Sequence, residues 1–139
     1  MIQRLQSVWL LLASFLTFLT YRFPFYSGNV MDKDGGLKFA KLIASYDFIL
    51  MVLTAILGAG CLLIIFLYRD RKLQLRAVIF AIILSIVNII LYFNNMRKFS
   101  DGNLSFAAIL SFLVPILLFL AARGIWKDQK LVKSLDRLR

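Results

Sequence analysis

Residues 46–68, YDFILMVLTAILGAGCLLIIFLY, form a long apolar stretch whose one charged residue, Asp47, lies at its start. About 20 mainly apolar residues suffice to cross the hydrocarbon core of a bilayer as a helix. A helix satisfies its own backbone polar groups in hydrocarbon, which an isolated strand or loop does not. This stretch therefore predicts a transmembrane helix.

Three further apolar runs flank it, at about residues 5–21, 77–93 and 104–122. The chain has 139 residues, 61% of them hydrophobic, and a mean hydropathy of +0.82. A soluble domain of this size does not bury so much apolar surface. The alternative of four buried helices in a soluble core is disfavoured because the runs lack a polar face. We therefore predict four membrane spans.

The distribution of basic residues predicts the orientation of these spans. If the N-terminus is cytoplasmic, the inner side carries eleven Lys and Arg residues and the outer side carries six. Cytoplasmic loops carry the excess of basic residues in membrane proteins. The predicted fold is an all-α membrane protein of the bacterial inner membrane. It is a four-transmembrane-helix up-down-up-down bundle with both termini cytoplasmic and a basic amphipathic C-terminal helix.

The connections divide the chain into a membrane domain, residues 1–122, and a basic cytoplasmic tail helix, residues 123–139. From Leu37, the segment LKFAKLIASYD predicts a helical approach to the second span. The outer loop NNMRKFSDGN contains the predicted turn Asp101-Gly102-Asn103.

Both ends of the chain also carry a family resemblance. The opening MIQRLQSVWLLLA and the ending RGIWKDQKLVKSLDRLR resemble an uncharacterised family of small four-span membrane proteins from the Bacteroidota. The resemblance implies the same four-helix membrane fold. It implies no activity and no catalytic residues.

Polar residues inside the spans are the first candidates for a site. Ser85, Asn88 and Tyr92 lie three and four residues apart, on one face of the third helix. With hydroxyl residues at similar depth they predict an interhelical hydrogen-bond network, which serves either as polar packing between helices or as an outward-opening pocket. The network comprises Thr17, Thr20, Thr54, Ser85, Asn88 and Ser111.

A second candidate region is the small-residue segment of the second helix, Ala55, Gly58 and Ala59. Ala55 and Ala59, four residues apart, allow another helix backbone to approach closely. The approaching helix belongs either to the same chain, which is the favoured alternative, or to a partner.

The tail predicts a helix with an apolar stripe of leucines and a basic side formed by Arg123, Lys130, Lys133 and Arg137. Basic amphipathic helices lie on anionic membrane surfaces or dock on partners. We expect anionic lipid headgroups and other inner-membrane proteins as partners. Nucleic acid is not expected beyond nonspecific, phosphate-driven contact with ribosomal RNA.

Residue content disfavours catalysis. The chain has no His, no Glu and one cysteine, Cys61, so the common nucleophile, acid–base and metal-ligand sets are missing from the sequence. We expect no enzyme activity, no cofactor and no metal.

The preferred hypothesis for the function of this protein is an accessory or scaffolding subunit of a larger inner-membrane complex. The alternatives are a small transporter or channel with a polar pathway near Asn88, or a component associated with the protein-export translocon or ribosome.

Overall fold

Four α-helices and a small sheet make up the protein in the computed structural model. It describes residues 2–31 and 36–136, with side chains over residues 5–31 and 36–132. The helices are α1 (Ile2–Leu19), α2 (Phe48–Phe66), α3 (Arg71–Met96) and α4 (Ala108–Asp136), and a single 3-10 turn (Leu67–Arg69) joins α2 to α3. The strands are β1 (Tyr26–Met31), β2 (Leu37–Leu42) and β3 (Phe99–Leu104).

Three of the helical segments are long and apolar enough to cross a membrane: Phe48–Arg69, Arg71–Met96 and Ala108–Val132. The described apolar part of α1, Leu5–Leu19, is shorter. At 1.5 Å per residue it extends about 22 Å, less than the roughly 30 Å of a typical hydrocarbon core. The expectation of four comparable spans therefore holds for α2, α3 and α4 but not for the described part of α1.

Each helix packs against two others: α1 and α3 both contact α2 and α4. The inward face of α3 shows why these residues form a packed helix. Its buried positions are separated alternately by four and three residues, which places them on one stripe of an α-helix. They are Gln74, Val78, Ala81, Ser85, Asn88, Tyr92 and Asn95.

The three strands form an antiparallel sheet in the order β2-β1-β3. Gly28 in the central strand lies opposite Ala40 on one side and Gly102 on the other. A Cβ atom on Gly28 would collide with the backbone carbonyl oxygen of Asp101, and one on Gly102 would lie 2.5 Å from the Ser27 carbonyl oxygen. Glycine at both positions therefore lets β1 and β3 approach closely.

Aromatic side chains attach the sheet to the helices. Phe25, directly before β1, stacks on Tyr92 of α3 with ring centroids 4.6 Å apart, and within the sheet Tyr26 of β1 meets Phe99 of β3 edge to face at 5.4 Å. These rings belong to a buried apolar cluster that also receives Val30 and Ala40 from the sheet. One face of the sheet is therefore part of the protein core.

The sheet corrects three expectations from the sequence. The fold is mostly helical rather than all-α, and residues 37–42 form β2 rather than a helix leading into the second span. The segment LKFAKL has apolar residues at spacings that suit either state, and backbone pairing with β1 selects the strand. Likewise, Asp101, Gly102 and Asn103 lie within β3 rather than in a turn.

The C-terminal part of the chain continues α4 without a break. The helix runs from Ala108 through Pro115 to Asp136, so residues 123–136 extend the last apolar helix rather than forming a separate element. Residues 137–139 lie outside the described part of the chain.

Candidate functional site

Several buried polar side chains of the four helices gather in one region between them. Asn88 of α3 donates a hydrogen bond of 2.8 Å from its amide nitrogen to the hydroxyl oxygen of Thr54 on α2. Thr54 in turn donates to the carbonyl oxygen of Leu50, 2.7 Å away in its own helix. The Thr54 oxygen thus accepts one hydrogen bond and donates another, which satisfies both partners of the interhelical contact.

The other hydroxyls near Asn88 donate to carbonyl oxygens of their own helices. Thr17 bonds to Ala13, and Thr20 bonds to Thr17, each over 2.7 Å. Ser85 donates to the Ile82 carbonyl oxygen over the same distance. Because each hydroxyl uses its proton locally, its oxygen remains available as an acceptor toward the space between the helices.

A small cavity lies at the centre of this region. Its volume is about 10 Å³, near the least that holds one water molecule. Its lining combines polar groups from three helices with two apolar side chains. The lining residues are Thr17, Thr20, Leu57, Ser85, Asn88, Ser111 and Val114.

Tyr92 adds an unpaired polar group one turn beyond Asn88. Its side chain is fully buried, and its hydroxyl lies beside the side chains of Thr20 and Thr54. Neither contact has hydrogen-bond geometry, so the hydroxyl has no hydrogen-bond partner among the described residues. A buried hydroxyl without a partner costs about 1–3 kcal/mol, so this is the part of the region where a bound water would contribute most.

The structure therefore brings the predicted polar residues together. Thr17, Thr20, Ser85, Asn88 and Ser111 line the cavity, and Thr54 joins them through its bond to Asn88. Ser14 was not among the residues predicted from the sequence. Its hydroxyl donates to the Gly58 carbonyl oxygen of α2 over 2.9 Å. Its position three residues before Thr17, on the same face of α1, was a signal that could have identified it.

The small residues of α2 are divided between two surfaces. Gly58 is buried and faces α1, where a Cβ atom would lie 2.9 Å from the ring of Phe18. Ala55 and Ala59 are exposed on the outside of the helix. Only Gly58 therefore serves packing within the chain.

At the opposite end of the helices from the sheet, α3 and α4 are joined by polar contacts. The Arg71 guanidinium lies 3.9 Å from the Asp128 carboxylate, and the Gln129 amide donates to the Arg71 carbonyl oxygen over 2.6 Å. Of the predicted basic contact residues, Arg123 and Lys130 are exposed. The side chains of Lys133 and Arg137 lie outside the described residues.

The fold and its buried polar region define a membrane-type helical protein with a small attached sheet. Residues 2–138 match the family described as "Domain of unknown function (DUF4293)". The chain belongs to this family, in agreement with the resemblance to an uncharacterised family. Comparisons with curated proteins and with solved structures give no match.

Proposed function

We propose that this protein is a non-enzymatic accessory or scaffolding subunit of a larger complex in the bacterial inner membrane. The observation that carries the proposal is the outward position of Ala55 and Ala59 on α2. Two small residues four apart on an exposed apolar helix let a second helix approach closely, and close approach is a main source of helix association in lipid.

The surroundings of this pair fit a partner helix. Ile56 and Val52 are exposed beside it, and Leu63 continues the same apolar surface with 63% of its side chain exposed. The cavity near Asn88 lies between the protein's own helices and is small, so α2 offers the larger surface to a neighbour. A transmembrane helix of a partner subunit would pack along Ala55 and Ala59.

The proposed topology places both termini in the cytoplasm. Gln6 near the start of α1 packs against Gly124 of α4, so the N-terminal end lies beside the basic part of α4. Exposed basic residues of α3 and α4 collect at that end: Lys72, Arg76, Arg123, Lys127 and Lys130. The excess of basic residues on cytoplasmic loops favours this orientation, and each contributes about 1 kcal/mol near an anionic leaflet. In this orientation the sheet lies on the periplasmic side. We also propose, from the resemblance of the two chain ends, that the protein comes from the Bacteroidota.

Co-purification tests the subunit proposal. The tagged protein is extracted in mild detergent, and its partners are identified by mass spectrometry. We expect a stoichiometric membrane partner that the double variant Ala55→Leu, Ala59→Leu loses. The matched double variant Ala55→Ser, Ala59→Ser keeps the surface small and should retain it. Recovery of the protein without any stoichiometric partner contradicts the proposal.

A second candidate function is a small transporter or channel, and the cavity lined by Asn88 and Ser111 favours it. At about 10 Å³, this cavity must widen before a solute passes. Proton and potassium flux into proteoliposomes provides the test. Flux that Asn88→Leu abolishes, while the protein stays folded, favours this function over the subunit proposal.

A further inference from the structure

The sheet has a polar face on the side opposite the helices. Tyr26 and Val30 of β1 pack into the apolar cluster that holds the sheet to the helices. Because side chains alternate along a strand, Ser27 and Asn29 point to the other side. Residues directly opposite each other on neighbouring strands share a face. Met31 and Leu37 form an apolar row at one end of the outer face, and its other residues are Ser27, Asn29, Phe39, Lys41, Asp101 and Asn103.

These side chains form two rows across the strands. In one row Ser27 lies between Lys41 and Asn103, and in the next Asn29 lies between Phe39 and Asp101. The close approach of β1 and β3 at their paired glycines brings the polar members of both rows together. All members of the two rows except Lys41, together with Gly28 and Gly102, line a shallow groove of about 440 Å³, a volume within the usual range of small-molecule sites.

The polar side chains of this groove are available to a ligand. Within the described part of the chain, no hydrogen bond or ion pair engages the side chains of Asn29, Asp101 and Asn103. Each amide offers donors and an acceptor, and the carboxylate offers acceptors only. Such a set matches hydroxyl groups, which both donate and accept hydrogen bonds.

Phe39 supplies an apolar surface beside these groups. Its side chain is 67% exposed, in register with Asn29 on the outer face. The negative face of an aromatic ring attracts weakly positive hydrogens, such as the C–H groups on the flat side of a sugar ring. The one carboxylate, Asp101, and the one ammonium, Lys41, balance each other, so the face carries no net charge that would select an anion.

We propose that the groove on the outer sheet face binds a neutral saccharide, with a sugar ring on Phe39 and its hydroxyl groups bonded to Asn29, Asp101 and Asn103. This site goes beyond the subunit proposal, because it lies on the sheet and not on α2. The purified protein alone should bind the sugar whether or not a partner occupies Ala55 and Ala59.

The test uses the full chain in detergent micelles and a panel of neutral disaccharides built from glucose, mannose, galactose and N-acetylglucosamine. Binding is followed by saturation-transfer NMR and titration calorimetry. We expect at least one disaccharide to bind with a Kd of about 1 mM or lower. Phe39→Ala and Asp101→Ala should each weaken it about tenfold or more, and both side chains are exposed, so the fold should remain intact.

Phe106→Ala is the matched control. Phe106 is 92% exposed but lies outside the groove, so its loss should leave the Kd unchanged. Unaltered thermal unfolding of all three variants shows that the sheet survives. Absence of binding across the panel overturns the proposal, and so does binding that Phe39→Ala and Asp101→Ala leave intact. If an extended peptide binds at an edge strand and no disaccharide binds, the sheet is a peptide-binding site and the saccharide proposal is wrong.

Discussion

The side-chain amide of Asn88 on α3 donates a 2.8 Å hydrogen bond to the hydroxyl of Thr54 on α2, and both side chains are buried. The bond links two of the three helices long enough to cross a membrane. In lipid, where helices gain little from burying apolar surface against each other, such polar contacts and close packing determine how helices associate.

Replacing Asn88 with Leu should lower stability by about 1 kcal/mol, because interhelical hydrogen bonds in membranes contribute from about 0.6 to 1.7 kcal/mol. The apparent melting temperature in detergent micelles provides the measurement. Asn94→Leu is the control, since Asn94 lies on the same helix but is exposed. An equal or larger loss in the control would show that the Asn88–Thr54 bond contributes nothing specific.

Replacing Gly28 with Ala should separate β1 from β3. The added methyl group collides with backbone atoms of Asp101 and Gly102, which cannot rotate away as a side chain can. Amide hydrogen exchange of residues 99–104 should therefore become faster in Gly28→Ala. Gly36→Ala, where no described residue lies within 4 Å of the added atom, should leave exchange unchanged. Equal protection of β3 in both variants would contradict the close strand approach.

Replacing Arg71 with Gln should cost about 0.5–1 kcal/mol, the range of a partly exposed ion pair. Arg71 and Asp128 are 34% and 14% exposed, so salt should screen part of the interaction. Melting temperatures at low and high salt test this, with Arg76→Gln as control because Arg76 is exposed on the same helix. We expect the gap between the two variants to narrow at high salt, and a gap that widens would refute the ion-pair explanation.

The proposed topology predicts the labelling of introduced cysteines by a membrane-impermeant maleimide. The native Cys61 is fully buried, so the unmodified protein should remain unlabelled and serve as the background. Ser100→Cys, on an exposed position of β3, should react in spheroplasts. Lys127→Cys, at an exposed position of α4, should react only after the membrane is permeabilised. The reverse pattern would place both termini outside.

The helices show how far the sequence alone determines this protein. Apolar length is a local property, so the runs at 46–68, 77–93 and 104–122 identified α2, α3 and α4 from composition alone. The spacing of Ser85, Asn88 and Tyr92 likewise placed them on one helix face, and all three are buried. Thr17, Thr20 and Ser111 also lie around the same cavity, because residues at equal depth in neighbouring helices meet.

The tertiary structure alone decided the sheet. Strand β3 lies about seventy residues beyond β1 in the chain, and its pairing depends on the helices that bring the two connections to the same end. LKFAKL suits a helix or a strand until β1 supplies hydrogen-bond partners. Long-range packing likewise decided that Asn88 bonds to Thr54 and that Ala55 and Ala59 lie on the exposed side of α2. The composition of residues 46–68 therefore determined a helix long and apolar enough to cross a membrane, whereas long-range packing determined which side of that helix faces the protein core and which side is exposed.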